Sequence, residues 1–409
     1  MNIKFYKLNI SEIFLGILLF LFIFNEILTQ HISSFFSYID DFAIVLIILF
    51  FIIKIIRQKG KIELEKNEIR ILILYMLIYS LGIFGNFISK FQDESVAIII
   101  DMLSWIKFFI GYVCLVNLIK KDKVNNYYDC LIKIGKVIIV IGIVLEILNL
   151  TTDIQLVDGY EKYGIKAFSL GGHPSFASAI FAGFTVLLLM EPKKNKFWIV
   201  LSMVLVAATL RAKGIAFVCL VVYALFFFRK NISNLKIIMV GLLVIMVGWN
   251  QIEYYFFNEN ASRARALNTS IEIANDYLPI GSGFATFGTI MSGKYYSDAY
   301  EKYGLSERWG FTKENYGYIS DGGWATIIGQ FGYVGVVLFI GVIIFLILSL
   351  KNRIGNCKNI VPYISIILYM LISSTNETAF SSNFAVFYAI LLSIIVLKQT
   401  EERKEVERK

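Results

Sequence analysis

Arg211 and Lys213, in the run ATLRAKGIA, carry the charge of a short connection between two apolar blocks. A cation fixed there either meets an anionic ligand or is a snorkelling charge in a tight turn. Arg263 and Arg265 lie in NASRARALNTSIEIANDYLP. The arginine fork suits phosphate, because it donates paired bonds at fixed charge; the alternative is an ordinary exposed loop. Asp321, in YISDGGWATIIGQFGYVG, reads as a helix cap or as a carboxylate able to bind sugar hydroxyls or take a proton. Glu377, in SSTNETAFSSN, offers the same chemistry. His173, in LGGHPSFAS, is one of only two histidines, so a histidine metal cluster is excluded. It reads as a proton carrier or as a capping residue beside Pro174. His31 is incidental.

Other polar groups carry blander readings. PIGSGFATFG, residues 279–288, holds Gly281 and Gly283 and follows a helical pattern. It lacks both the dinucleotide fingerprint and a P-loop lysine, so nucleotide binding is disfavoured. A packed turn with close backbone approach is the default. Asp40 and Asp41 fit the first turn of a helix, although an acidic pair there also suits a metal-dependent enzyme acting on lipid-linked sugars. Asp101 and Lys107 are six apart and do not share a helical face, but either suits the lining of a polar cavity. The four cysteines show neither disulfide nor metal spacing.

The elements that must position these residues are membrane helices. Hydrophobic residues make up 57% of the chain and charged residues 17%, against about 45–50% and about 25% in soluble domains. The excess comes in continuous blocks such as 44–56, 137–150 and 336–350. A helical span needs about twenty mainly apolar residues, and a barrel would need alternation. Spans are expected near 12–30, 39–56, 70–88, 97–119, 131–150, 172–190, 197–210, 214–228, 236–253, 321–349, 360–376 and 382–398. The expected fold is thus an all-α integral membrane protein of about twelve transmembrane helices. Residues 1–253 hold nine spans, 254–320 a long, partly helical outer loop, 321–398 three spans, and 399–409 a mixed-charge tail.

The net charge of +8 is spread between spans, without the concentrated patch that nucleic acid requires. Most Lys and Arg residues fall on one side when the N-terminus is placed inside. Both termini are then cytoplasmic, and 151–171, 254–320, the turn at Arg211 and the loop at Glu377 face outward. The 254–320 segment is rich in Tyr, Phe and Trp, unlike disordered chain, and is expected to fold into short helices over the outer face. No cleavable signal is evident.

In order along the chain come an arginine in a short outer loop, a span pair, and a long outer loop opening with arginines. A P-x-G-x-G turn follows, then an aspartate heading the next span with GQFGYVGVVLF inside it. This order resembles the O-antigen polymerase and ligase superfamily, specifically the Wzy-type polymerases of capsular or exopolysaccharide assembly. The specific matches lie within residues 171–336. The resemblance implies an enzyme at the outer face of a bacterial plasma membrane. It would transfer the growing glycan from undecaprenyl pyrophosphate to the non-reducing end of a newly flipped repeat unit, without nucleotide sugar, metal or cofactor. It implies that Arg211, Arg263 and Arg265 hold the pyrophosphate, that Asp321 or His173 is the base, and that loop aromatics stack on sugars. Lys213, Gly281, Gly283 and Glu377 would belong to the same binding region. The related ligases carry a functional histidine near the end of the long loop. Asp321-Gly322-Gly323 stands there instead, favouring a polymerase. Flippase and chain-length regulator proteins are the implied partners.

The rival readings are a lipid-linked oligosaccharide flippase, whose site would lie at the bilayer midplane between repeated halves, an O-antigen ligase, and a metal-dependent lipid-linked glycosyltransferase. Cysteines placed within 254–320, on a background lacking the native ones, are expected to label in intact cells. Labelling only after permeabilisation would invert the topology.

Overall fold

The computed structural model describes residues 10–59, 64–152, 161–162, 164–227, 258, 261–355 and 359–408. Among the described residues eleven of the apolar blocks are helical, because an apolar surrounding forces each backbone to bond internally. The chain opens with α1 (Ile10–Ile23), α2 (Asn25–His31), α3 (Ile39–Arg57), α4 (Lys66–Ser89), α5 (Ser95–Ile106) and α6 (Phe109–Leu118). Then follow α7 (Val124–Thr151), α8 (Pro174–Leu188), α9 (Lys196–Ala208) and α10 (Ala212–Phe227). The long loop contributes α11 (Ser262–Asp276), α12 (Ile290–Lys294) and α13 (Ala299–Lys302). The chain closes with α14 (Gly323–Ile354), α15 (Val361–Ser374) and α16 (Ala385–Arg408). The ninth expected span, 236–253, lies outside the described residues.

Two details depart from the expected all-α pattern of unbroken spans. The segment after α7 holds a hairpin of β1 (Glu161–Lys162) against β2 (Ile165–Lys166), with Glu161 opposite Lys166. The fourth span is broken: α5 and α6 meet at 55°. The mixed-charge tail continues the last helix, α16, to Arg408.

By length and composition α4 and α14 can cross a membrane, as can α5 and α6 taken as one bent span. The helices α8, α9 and α15 are shorter but apolar. Large side chains such as Met76, Phe84, Phe87 and Val337 lie on the outside of the bundle, where lipid rather than water suits them. At 32 residues α14 runs about 48 Å at the usual helical rise, well beyond a hydrocarbon core of about 30 Å. It is kinked at Gly332 (φ 62°). The part before the kink packs with the long loop and the part after it with α4.

Side-chain contacts sort the connections into two ends. At one end Glu26 meets the backbone of His173 (2.6 Å), Lys294 meets Tyr38 (2.7 Å) and Lys213 meets Glu377 (2.5 Å). At the other, Glu68, buried at the start of α4, takes two bonds from Arg353 of α14, 2.5 and 2.8 Å long. Lys398 there reaches Glu191 (3.2 Å), and Asn359 reaches the Leu189 carbonyl (2.9 Å). From α3 to α10 successive spans therefore run in opposite directions, with α5 and α6 counted as one, and so do α14 to α16.

The long loop has a core of its own, built on Ile273, Phe287, Tyr300, Leu305, Phe311 and Ile319. Its fastening to the bundle runs through the glycine turn. Ser282 N and Gly283 N donate to the carbonyls of Gly329 (2.9 Å) and Gln330 (2.8 Å). Asp101 accepts from Ala285 N (2.7 Å) and from the Gln330 amide (2.9 Å), and Asn86 bonds Phe284 both ways. Gly281 (φ 74°) and Gly283 (φ 100°) are in the left-handed region, and a β-carbon would stand 2.4 Å from Gly332 N or 2.3 Å from Asn86 N. Only glycine lets the three backbones approach this closely.

Candidate active site

Between the first connection, α5, the head of α8, the long loop and the last connection lies a cleft of about 490 Å³. Its walls are rich in hydroxyls (Ser37, Ser104, Thr289, Ser381 and others) and carry Tyr38, Tyr316, Asp41, Asp101, Lys107 and Lys294. His173, Glu26 and Glu377 line it as well.

At this end three cations each meet an acceptor. Arg211 Nη2 is 2.8 Å from His173 Nε2. The Lys213 ammonium is 2.5 Å from Glu377 Oε1. Arg263 is 3.5 Å from Asp321 Oδ2 and donates to Asn376 at 3.0 Å. Five separate stretches supply these pairs.

The chain folds to make them in identifiable ways. Leu210 takes a left-handed conformation (φ 52°), uncommon for a residue with a β-carbon, and reverses the chain between α9 and α10 within three residues. That reversal aims Arg211 at His173. Lys213 falls in the first turn of α10, with its ammonium 5.3 Å from the Phe384 ring and 6.0 Å from Tyr369. It is only 3% exposed, so it is not the snorkelling charge of a surface turn. Gly322, not Asp321, caps α14, which leaves the Asp321 carboxylate to Arg263. Gly323 lets the helix start lie against the carbonyls of Ser374 and Glu377, bringing Asp321 beside the last connection.

His173 and Asp321 both lie in connections ahead of their helices, and their surroundings shift them in opposite senses. Burial, then the charges of Arg211 and Lys213, lowers His173 to about 4. Burial raises Asp321 to about 6 against the opposing pull of Arg263, with Glu377 raising it further. Arginine only donates and a neutral imidazole accepts at one nitrogen. The 2.8 Å contact therefore puts the lone pair on Nε2 and the proton on Nδ1. The 3.3 Å approach of Ser175 N to Nδ1 is then not a hydrogen bond.

Of the residues singled out by sequence, His173, Arg211, Lys213, Arg263, Asp321 and Glu377 come together. Arg265 sits half-buried on α11, outside the three pairs. Gly281 and Gly283 are not among the residues lining the cleft; they are buried where the glycine turn meets α4 and α14. Most loop aromatics are spent on the loop's own core. Tyr316 lines the cleft, and Trp309 is exposed but stacks edge-on against Tyr318.

Sequence reasoning missed Glu26 altogether. It accepts from His173 N, and the glycine at 172 leaves it room, since a β-carbon there would overlap its carboxylate. The signal was a lone acid at the end of an apolar block. Asp101 and Lys107 both line the cleft, as polar groups within an apolar block suggest, and the helix breaks at Lys107. Lys107 bridges Asp40 (2.6 Å) and Asp41 (2.9 Å), with Lys107 and Asp40 almost wholly buried.

Compared with known proteins, the chain matches no family model and no curated relative.

Replacing Lys107 by Met would leave two buried carboxylates facing each other. Breaking a buried pair typically costs about 3–5 kcal/mol. Lys107→Met is expected to lower the melting temperature in detergent, and adding Asp40→Asn and Asp41→Asn to recover much of the loss. Full stability of Lys107→Met alone would contradict the pairing.

Proposed function

We propose that the chain is a membrane glycan polymerase of the Wzy type. It joins oligosaccharide repeat units carried on undecaprenyl pyrophosphate at the outer face of a bacterial plasma membrane. The observation that carries this reading is the set of three cation–acceptor pairs beside a hydroxyl-lined cleft. In this reading the chain has twelve spans and cytoplasmic termini, which puts the end carrying the cleft outside.

In the proposed reaction an acceptor hydroxyl attacks the anomeric carbon of the donor glycan. The new glycosidic bond forms as the bond from that carbon to the pyrophosphate oxygen breaks. Undecaprenyl pyrophosphate leaves with the electron pair, and the hydroxyl proton passes to a base. A departing pyrophosphate needs fixed positive charge, which Arg211, Arg263 and Lys213 provide.

Those cations are already paired with the acceptors suited to taking the proton. An arriving pyrophosphate draws Arg211, Lys213 and Arg263 to itself and loosens their hold on His173, Glu377 and Asp321. The base is thereby released only when the donor is bound. Asp321 suits the role best, since its pKa of about 6 leaves it ionised yet basic near neutrality. His173, held near 4 with Nε2 engaged by Arg211, is a weaker base and an orienting partner for the arginine.

Two rival readings fit less well. A flippase would hold its polar site near the bilayer midplane, whereas this cleft opens at one end. A metal-dependent glycosyltransferase would hold a cation on the acids of the first outer loop, and there the Lys107 ammonium occupies the space between Asp40 and Asp41.

Arg211→Ala is expected to abolish polymer in cells at normal protein level. Arg211→Lys should restore only part of it, because lysine keeps the charge and loses the fork. With defined lipid-linked units, Asp321→Asn should slow transfer by about 10²–10⁴-fold, the usual worth of a general base. Wild-type turnover should fall as pH drops through about 6, where Asp321 takes up its proton. Near-normal turnover by folded Asp321→Asn would remove Asp321 as base.

A further inference from the structure

At the end of the bundle opposite the cleft, an apolar slot of about 370 Å³ opens between α1, α3, α6, α7 and α16. Leu15, Leu18, Ile47, Phe50, Leu115 and Ile394 form its walls. Lys120 and Lys123 stand at its rim with Tyr127, flanking the 3-10 turn Lys121–Lys123 that joins α6 to α7. Lys54, near the end of α3, donates to the Asn117 carbonyl three residues before Lys120. Four lysines thus gather where helices end, with Asp122 the one acid of the turn. Among the described residues Lys120, Lys121 and Lys123 form no ion pair.

This arrangement departs from the rest of the bundle. Lys107, Lys213 and Lys398 each meet a carboxylate, whereas these lysines rim an apolar opening. An occupant must bring its own negative charge and an apolar body long enough to enter between helices. An anionic phospholipid has both, and basic pockets between membrane helices bind such headgroups. We propose that the slot holds one acyl chain of an anionic phospholipid, whose headgroup phosphate is bound by Lys120 and Lys123. The proposal rests on the bundle lying in lipid and not on the polymerase reading.

Native mass spectrometry of the full chain tests it. The detergent-purified protein is titrated with phosphatidylglycerol or phosphatidylcholine of identical acyl chains. One phosphatidylglycerol should be retained in preference to phosphatidylcholine. Lys120→Gln with Lys123→Gln should weaken its retention about 30-fold, from the loss of two lysines at about 1 kcal/mol each. Leu115→Trp, which fills the slot and leaves the lysines in place, should also remove the retained lipid. If that variant melts early, Leu18→Phe makes a smaller intrusion into the same space. Equal retention of both lipids, or wild-type retention by the lysine variant, would overturn the headgroup assignment. Retention that survives a filled slot would overturn the acyl-chain site.

Discussion

A charge carried into an apolar bundle costs several kcal/mol unless an opposite charge meets it. In this protein that rule decides which helices must be neighbours. Glu68 and Arg353 tie α4 to α14 at one end, while Lys107 ties the break between α5 and α6 to the head of α3. Lys213 ties α10 to the connection before α16, and Arg263 ties the long loop to the head of α14. Dispersion between apolar side chains packs the helices, but lipid tails offer nearly the same contact. Charge pairing and the backbone bonds of the glycine turn therefore do much to specify which surfaces meet.

The two ends use the same interaction for different purposes. The Glu68 pair is bidentate and bonded further to Asn117 and Ser349, an arrangement with no unmet valence and a fixed geometry. At the cleft the Arg263 pair is longer, at 3.5 Å, and the charges of Arg211 and Lys213 also act on Asp321. A set of pairs that an incoming anion can rearrange is suited to the pyrophosphate transfer proposed for this site. Asp101 supports it from beneath by holding the glycine turn to the kinked head of α14, which fixes the loop carrying Thr289, Lys294 and Tyr316.

Much of the scaffold was legible in the sequence. Uninterrupted apolar blocks give helices, and each described block is helical, although α7 starts earlier and α16 ends later than its apolar block. Arg211, Lys213, Arg263, Asp321, His173 and Glu377 stood out because charge at the edge of an apolar block is costly. Their pairing was not legible, since partners such as Lys213 and Glu377 are 164 residues apart and no local spacing encodes them. The break at Lys107 was missed because its residues are apolar on both sides. Aromatic content of the long loop is visible in sequence, whereas the burial of Phe287 and Tyr300 in the loop's own core is not.

The central claim is that this cleft transfers glycan from a lipid pyrophosphate using only the protein's own charges. Purified full-length protein supplied with undecaprenyl-pyrophosphate-linked repeat units is the direct test, with chelator absent or present. Glycan chains longer than one repeat should appear, with stoichiometric release of undecaprenyl pyrophosphate and equal rates in both conditions. Loss of all chain growth with chelator would contradict the metal-free mechanism. No chain growth in either condition, from folded protein with the correct repeat unit, would contradict the polymerase reading itself.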